Sequence, residues 1–128
     1  MKNFKKIILL LLTLSFSLIA KDVATVTALN GEAFIQRDNA KVQVTLGIKL
    51  QEKDTIITAK KAKVQIIFTD ETIITIGKNS HFSISEFLYE NDAQPVAKFS
   101  MLKGAMRTIT GKIGKIAPEK FTVTVKTA

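Results

Sequence analysis

The chain has 128 residues, enough for one domain and too few for two independent cores of ordinary size. Hydrophobic residues make up 46% and charged residues 23%, which excludes a disordered polyelectrolyte, and the formal net charge is +8. Cysteine is absent and there is one histidine, so disulfide scaffolds, thiolate metal sites, cysteine nucleophiles, lipobox anchoring and histidine metal clusters are all excluded.

In chain order, Met1–Lys6 is short and positive, carrying Lys2, Lys5 and Lys6. Ile7–Ala20 is an apolar run of 14 residues interrupted by Thr13, Ser15 and Ser17. That length fits the apolar core of a secretory signal better than a membrane span, which needs about 20 residues. Residues 1–20 are therefore expected to be a signal peptide cleaved after Ala20, although Leu18 is large for its position before the cut. An uncleaved N-terminal anchor is the alternative. The expected domain is residues 21–128, with 16 basic against 11 acidic side chains, a net of +5. Arg37 and Arg107 are its only arginines, and no aromatic residues interleave with basic ones, so nucleic acid is not an expected partner. The mild excess of positive charge favours weak attraction to anionic polysaccharide or a membrane surface.

Past Lys21 the chain reads as short alternating runs of Val, Ile, Thr and Phe, with turn signals every 8–12 residues. Val23–Leu29 runs into Asn30-Gly31, a hairpin signal, followed by Glu32–Arg37. Asp38-Asn39 turns the chain into Val42–Leu46, and Gly47–Asp54 reads as a loop holding Leu50. Val64, Ile66 and Phe68 alternate with Gln65, Ile67 and Thr69; Asp70-Glu71 then turns into Thr72–Ile76. Gly77–Ser80 ends that strand before His81–Ser85, in which His81 faces away from Phe82. Val96–Leu102, Gly104, Met106–Thr110, the loop Gly111–Glu119 and the final strand Phe121–Val125 complete the pattern. Lys60–Lys63 and Glu86–Asn91 are each compatible with one helical turn, and Tyr89 reads as an edge of the core. The expected fold class is all-β, with about nine or ten short strands. Ile56-Ile57, Ile66-Ile67 and Ile73-Ile74 place apolar groups on both strand faces, which suits a sandwich or stacked coil.

The spacing resembles the FecR-like domain family over residues 23–128. The resemblance rests on Leu29-Asn30-Gly31-Glu32-Ala33 and on Gly47-x-x-Leu50-x-x-x-Asp54-x-Ile56-x-Thr58. It continues through Ala62-x-Val64-x-Ile66-x-Phe68-x-Asp70 and Ile74-x-Ile76-x-x-x-Ser80-x-Phe82-x-Ile84. Leu102-x-Gly104 and Phe121-x-Val123-x-Val125-x-x-Ala128 close it. Lys53 and Glu71 stand where the family often has glycine; if those turns need a positive φ, each costs about 1 kcal/mol. Family members usually run on into an arginine-glycine-threonine strand beyond Ala128, which implies a minimal or truncated version with an unpaired edge.

The resemblance implies a twisted, coiled β arrangement and an exported sensory or scaffold domain of the periplasm or cell envelope. Its best-known members relay the state of an outer-membrane siderophore receptor to a sigma regulator, through a transmembrane helix and a cytoplasmic segment. A signal peptide in place of those parts removes the conduit.

No catalytic, cofactor-binding or metal-ligating set is expected, and the chain is not read as an enzyme. Asp54 and Asp70 sit where loops meet strands, suited to accepting backbone amides two residues on. General acid–base work needs converging carboxylates, and their spacing gives no reason to converge. Together with Gly31, Gly47, Gly77 and Gly104 they are expected to hold turns. Lys112, Lys115 and Lys120 mark a mobile basic loop followed by the strand Phe121, Val123 and Val125. That edge or loop is the expected contact with another envelope protein. The alternatives are electrostatic binding to anionic polysaccharide or membrane, and a truncated member with no independent activity.

Overall fold

A computed structural model describes residues 20–91 and 93–126. Most of the expected signal peptide, and Thr127 and Ala128 at the family-like ending, lie outside the described residues.

Among the described residues, eleven strands form two sheets. They are β1 (Asp22–Asn30), β2 (Ala33–Arg37), β3 (Ala40–Gln43), β4 (Lys49–Gln51), β5 (Thr55–Thr58) and β6 (Lys63–Phe68). The rest are β7 (Ile73–Ile76), β8 (His81–Leu88), β9 (Val96–Lys103), β10 (Met106–Ile109) and β11 (Phe121–Val125). Sheet I has the order β10-β7-β6-β1-β4, and sheet II the order β11-β9-β8-β5-β2-β3. All pairings are antiparallel except β11 with β9. Only β2–β3, β6–β7 and β8–β9 are sequential neighbours within a sheet; every other connection carries the chain from one sheet to the other. The result is an open sandwich wound as a coil, the all-β class expected.

The core lies between the sheets and follows the period-two pattern. Val64, Ile66, Phe68, Ile74 and Ile76 of sheet I face Ile35, Ile56, Phe82, Ile84 and Phe99 of sheet II, all essentially buried. Phe68 bridges the layers, its ring centroid 5.0 Å from Phe87 and 4.9 Å from Phe99. Tyr89 packs partly buried at the margin.

Several local expectations are corrected. Asn30-Gly31 makes no hairpin: β1 belongs to sheet I and β2 to sheet II. A two-residue type I′ turn needs positive φ at both positions, and only Gly31 has it, at 73°. A Cβ on Gly31 would also lie 2.9 Å from the Cα of Ala62, so the close crossing itself requires glycine. Asp38, at φ 53°, does turn β2 into β3, but β3 ends at Gln43 and Leu46 is exposed. The presumed loop around Leu50 contains β4, and Leu50 is fully buried.

The helical reading of Glu86–Asn91 fails because β8 runs to Leu88 with a register shift between Ile84 and Glu86. One extra residue changes the spacing of buried positions from two to three between Ile84 and Phe87, which imitates a helix. Lys60 and Lys61 form a turn rather than a helix, with Ala62 N–H donating to Ala59 O at 3.2 Å. Two-sided burial is also not seen: among the described residues Ile57, Ile67 and Ile73 remain half-exposed on outward faces.

Lys53 and Glu71 adopt φ of 76° and 73°. The other two non-glycine residues with positive φ are Asp38 and Asn79, side chains that tolerate this region. A lysine or glutamate pays about 1–2 kcal/mol there, partly offset because glycine has more freedom to lose on folding. Lys53→Gly and Glu71→Gly are each expected to add about 0.5–1 kcal/mol, seen as a rise of several degrees in the thermal midpoint. Lys53→Ala should bring no such gain.

Candidate functional site

The buried polar residues of the core are Asp54, Thr58, Asp70, Thr72 and Ser80, and each sits at or beside a place where the chain changes sheet or turns. Asp54 lies between β4 and β5. Its carboxylate accepts from Arg37 Nε at 2.8 Å and Nη2 at 2.7 Å, and from the backbone N–H of Gln51 at 2.8 Å. The expected amide two residues ahead is thus replaced by one three residues behind, with Arg37 taking the remaining acceptor capacity. Arg37 Nη2 also donates to Lys49 O at 3.2 Å, so one side chain ties β2 to β4 and β5. The hydrogen bond to Asp54 raises the Arg37 pKa further above its ordinary value. Its stabilisation is therefore complete below that ordinary value and is lost only as strong alkali carries the pH past the raised one.

Thr58, at the end of β5, donates its hydroxyl to Gly77 O at 2.6 Å and accepts from Ser80 N–H at 2.9 Å. Ser80 Oγ donates to Lys78 O at 3.0 Å and accepts from Ala105 N–H at 3.1 Å. Gly77 N–H meets Ala105 O at 2.9 Å, so the β7–β8 and β9–β10 crossings are bolted together. Gly104, at φ 102°, lies so close that a Cβ would stand 2.6 Å from the Cα of Ser80.

Asp70 follows the expected pattern, accepting from Thr72 N–H at 3.0 Å and from the Thr72 hydroxyl at 2.8 Å. It also accepts from Ile113 N–H at 3.1 Å, while its backbone carbonyl accepts from Lys112 N–H at 2.8 Å. Residues Lys112–Ile116 form a five-residue helix, α1, followed by a 3-10 turn at Pro118–Lys120. The supposed mobile loop is thus a structured crossover, although the sequence shows no helix after Gly111. Asp70 satisfies an N-terminal amide of α1 from 43 residues away, and Ile113 plugs into the core.

Asp54 and Asp70 are separately engaged by structural donors and share none. Among the described residues, no group of three or more His, Cys, Asp or Glu could hold a metal ion. No helix among them is long and apolar enough to cross a membrane. His81 is half-buried on the outward face, opposite Lys103. Gly47, at φ 85°, turns the chain between β3 and β4, and Gly77 closes β7.

Of the expected contact residues, Lys112 and Lys115 are exposed on α1 and Lys120 on the 3-10 turn. Lys112 Nζ is 3.9 Å from Glu71 Oε1 at the surface. Phe121 and Val123 pack their side chains on the core, whereas Val125 is 60% exposed. Among the described residues the outer backbone edge of β11 pairs with no strand, since β11 stands at the end of sheet II. Arg37 and Thr72 are the participants that sequence reasoning missed. The Arg37–Asp54 separation of 17 residues spans a hairpin and a sheet change, and no local spacing rule reaches across those.

No curated protein matches the chain. A solved structure described as a "Cell surface anchoring domain" is 26% identical with a TM-score of 0.46, covering 48% of this chain and 82% of that one. The family model described as "FecR protein" matches residues 54–128, from the Asp54 crossing through Asp70, Ser80 and Gly104 to the chain end, without the segment 23–53. With more than half of its length matched, the chain belongs to the FecR protein family.

Proposed function

We propose that this protein is a non-catalytic binding or scaffold module of the cell envelope, exported by residues 1–20 and folded over residues 21–128. In this reading it contacts another envelope protein by strand addition along β11, with the α1 lysines beside it. The observation that carries the reading is the contrast among the four sheet edges. Natural edges are blunted by charge or brevity. β3 carries Lys41, β4 has three residues and Lys49, and β10 carries Arg107. β11 is Phe-Thr-Val-Thr-Val, five residues of high strand propensity with no charge. An unguarded edge of this kind suits β-augmentation, in which backbone groups supply the affinity.

The test follows from the alternation of backbone groups along a strand. Lys126 N–H donates to Met101 O, so Thr124 and Thr122 turn their amides toward β9 while Val125 and Val123 turn theirs outward. A strand-forming peptide selected on the protein is expected to raise its thermal midpoint. Val125→Pro should abolish that shift and leave the fold intact, because the lost N–H faces away from β9. Thr124→Pro should instead loosen β11 itself. Unchanged peptide binding by Val125→Pro overturns the edge reading, and absence of a cooperative melt would favour a degraded family member.

A further inference from the structure

A second surface stands apart from β11. Val64, Ile66, Ile74 and Ile76 turn inward from β6 and β7, so Lys63, Gln65 and Thr75 face outward. Gln65 pairs with Thr75, and Thr75 with Arg107, forming one polar row across three strands of sheet I. Along that row lies an open groove of about 660 Å³, to which Asn30, Leu29 and Met106 also contribute. A shallower cleft of about 430 Å³ adjoins it, shares Asn30 and Lys63, and adds Lys61 and Lys78. Among the described residues, the two depressions are lined by four cations and by no aspartate or glutamate. Among the described residues the ion pairs engage Lys21, Arg37, Lys98 and Lys112, leaving these four charges unneutralised.

We infer that this groove binds an acidic polysaccharide. Its charge calls for an anionic occupant, since a concave site lined by one sign of charge concentrates counter-ions. The chemistry of the lining selects among anions. Asn30, Gln65 and Thr75 offer amide and hydroxyl groups matched to sugar hydroxyls, the outward methyl of Ala28 opposite Gln65 offers a small apolar surface for C–H faces, and Lys63 and Arg107 can meet carboxylates. No aromatic side chain lines either depression, so there is no platform on which nucleic-acid bases could stack. A planar bilayer does not follow a concave floor, and the most exposed apolar side chains, Ile116 and Leu46, are not among the lining residues. An extended acidic peptide gains its affinity from a free strand edge, whereas this floor is the face of a paired sheet. Lys63 and Arg107 lie two strands and two residues apart, roughly 12 Å between Cα atoms from ordinary sheet spacings, a separation that favours successive charges on one linear chain.

The test measures binding of oligogalacturonate to the full chain by calorimetry. Fully methyl-esterified oligogalacturonate, poly-glutamate and phosphatidylglycerol-containing vesicles serve as comparisons. The acidic oligosaccharide is expected to bind in a salt-sensitive manner and its methyl ester not to bind. Lys63→Glu with Arg107→Glu should weaken binding by about tenfold or more, while Lys112→Glu with Lys115→Glu changes it by less than about twofold. The proposal is overturned if the methyl ester binds equally, if the α1 pair matters as much, or if the oligosaccharide does not bind. Groove-dependent binding of poly-glutamate or vesicles at equal or higher affinity also overturns it. The peptide assay on β11 is independent of all these outcomes.

Discussion

Arg37→Ala is expected to destabilise the protein by about 3 kcal/mol, a loss set by the buried carboxylate that it strands. Asp54 is fully buried, and without Arg37 only the Gln51 amide remains to it. The reverse substitution is asymmetric. The Arg37 side chain is 34% exposed, so in Asp54→Ala the guanidinium can turn toward water and the cost should be about half as large. The double replacement should cost less than the sum of the two, because each single change removes the same contact. Urea midpoints of the four proteins check all three statements. Equal losses in the two single variants would show that the pair is not desolvated as its geometry implies.

Asp70→Ala should be comparably severe and more local in its consequences. It orphans two backbone amides, Thr72 and Ile113, and the Thr72 hydroxyl, each buried with the carboxylate as its partner. With about 1–3 kcal/mol for each unsatisfied buried donor, and some relief from water entering near α1, a total of about 3 kcal/mol is expected. Asp70→Asn should recover only part of it, since one amide oxygen cannot replace both carboxylate oxygens and the NH₂ group would face a donor. Hydrogen exchange should locate the damage in Lys112–Val125 ahead of the core strands, because this carboxylate ties α1 to the β6–β7 turn of sheet I and β11 follows α1 directly as the edge strand of sheet II. Uniform loss of protection across β6 and β8 would show that Asp70 supports the whole sandwich and not the crossover.

These two aspartates also show why motif reading stops short of function here. Asp54, Thr58, Asp70, Ser80 and Gly104 are among the polar and glycine positions that carried the family resemblance, and the structure places each of these five at a sheet crossing or hairpin turn. The signature describes how the chain is wound. The candidate binding features draw mainly on other groups: the groove on sheet I relies on Arg107, Gln65, Thr75 and Lys63 and shares Asn30 with the signature, and the edge of β11 offers its backbone alone.

Strand identity, the inward set Val64, Ile66, Phe68, Phe82 and Ile84, and the Asp38 and Asp70 turns were legible from the chain because period-two burial and turn chemistry are local properties. Bulges hid the extent of β8, since one inserted residue turns strand spacing into helix spacing. Tertiary structure alone decided which strands share a sheet, that Asn30-Gly31 is a crossing, that Arg37 reaches Asp54, and that α1 exists at all. Those outcomes depend on contacts distant in sequence, such as Arg37 with Asp54 at 17 residues and Asp70 with Ile113 at 43. At such separations the partner for a buried charge or a free amide is chosen by what packing brings near it, and no neighbour in the sequence records that choice.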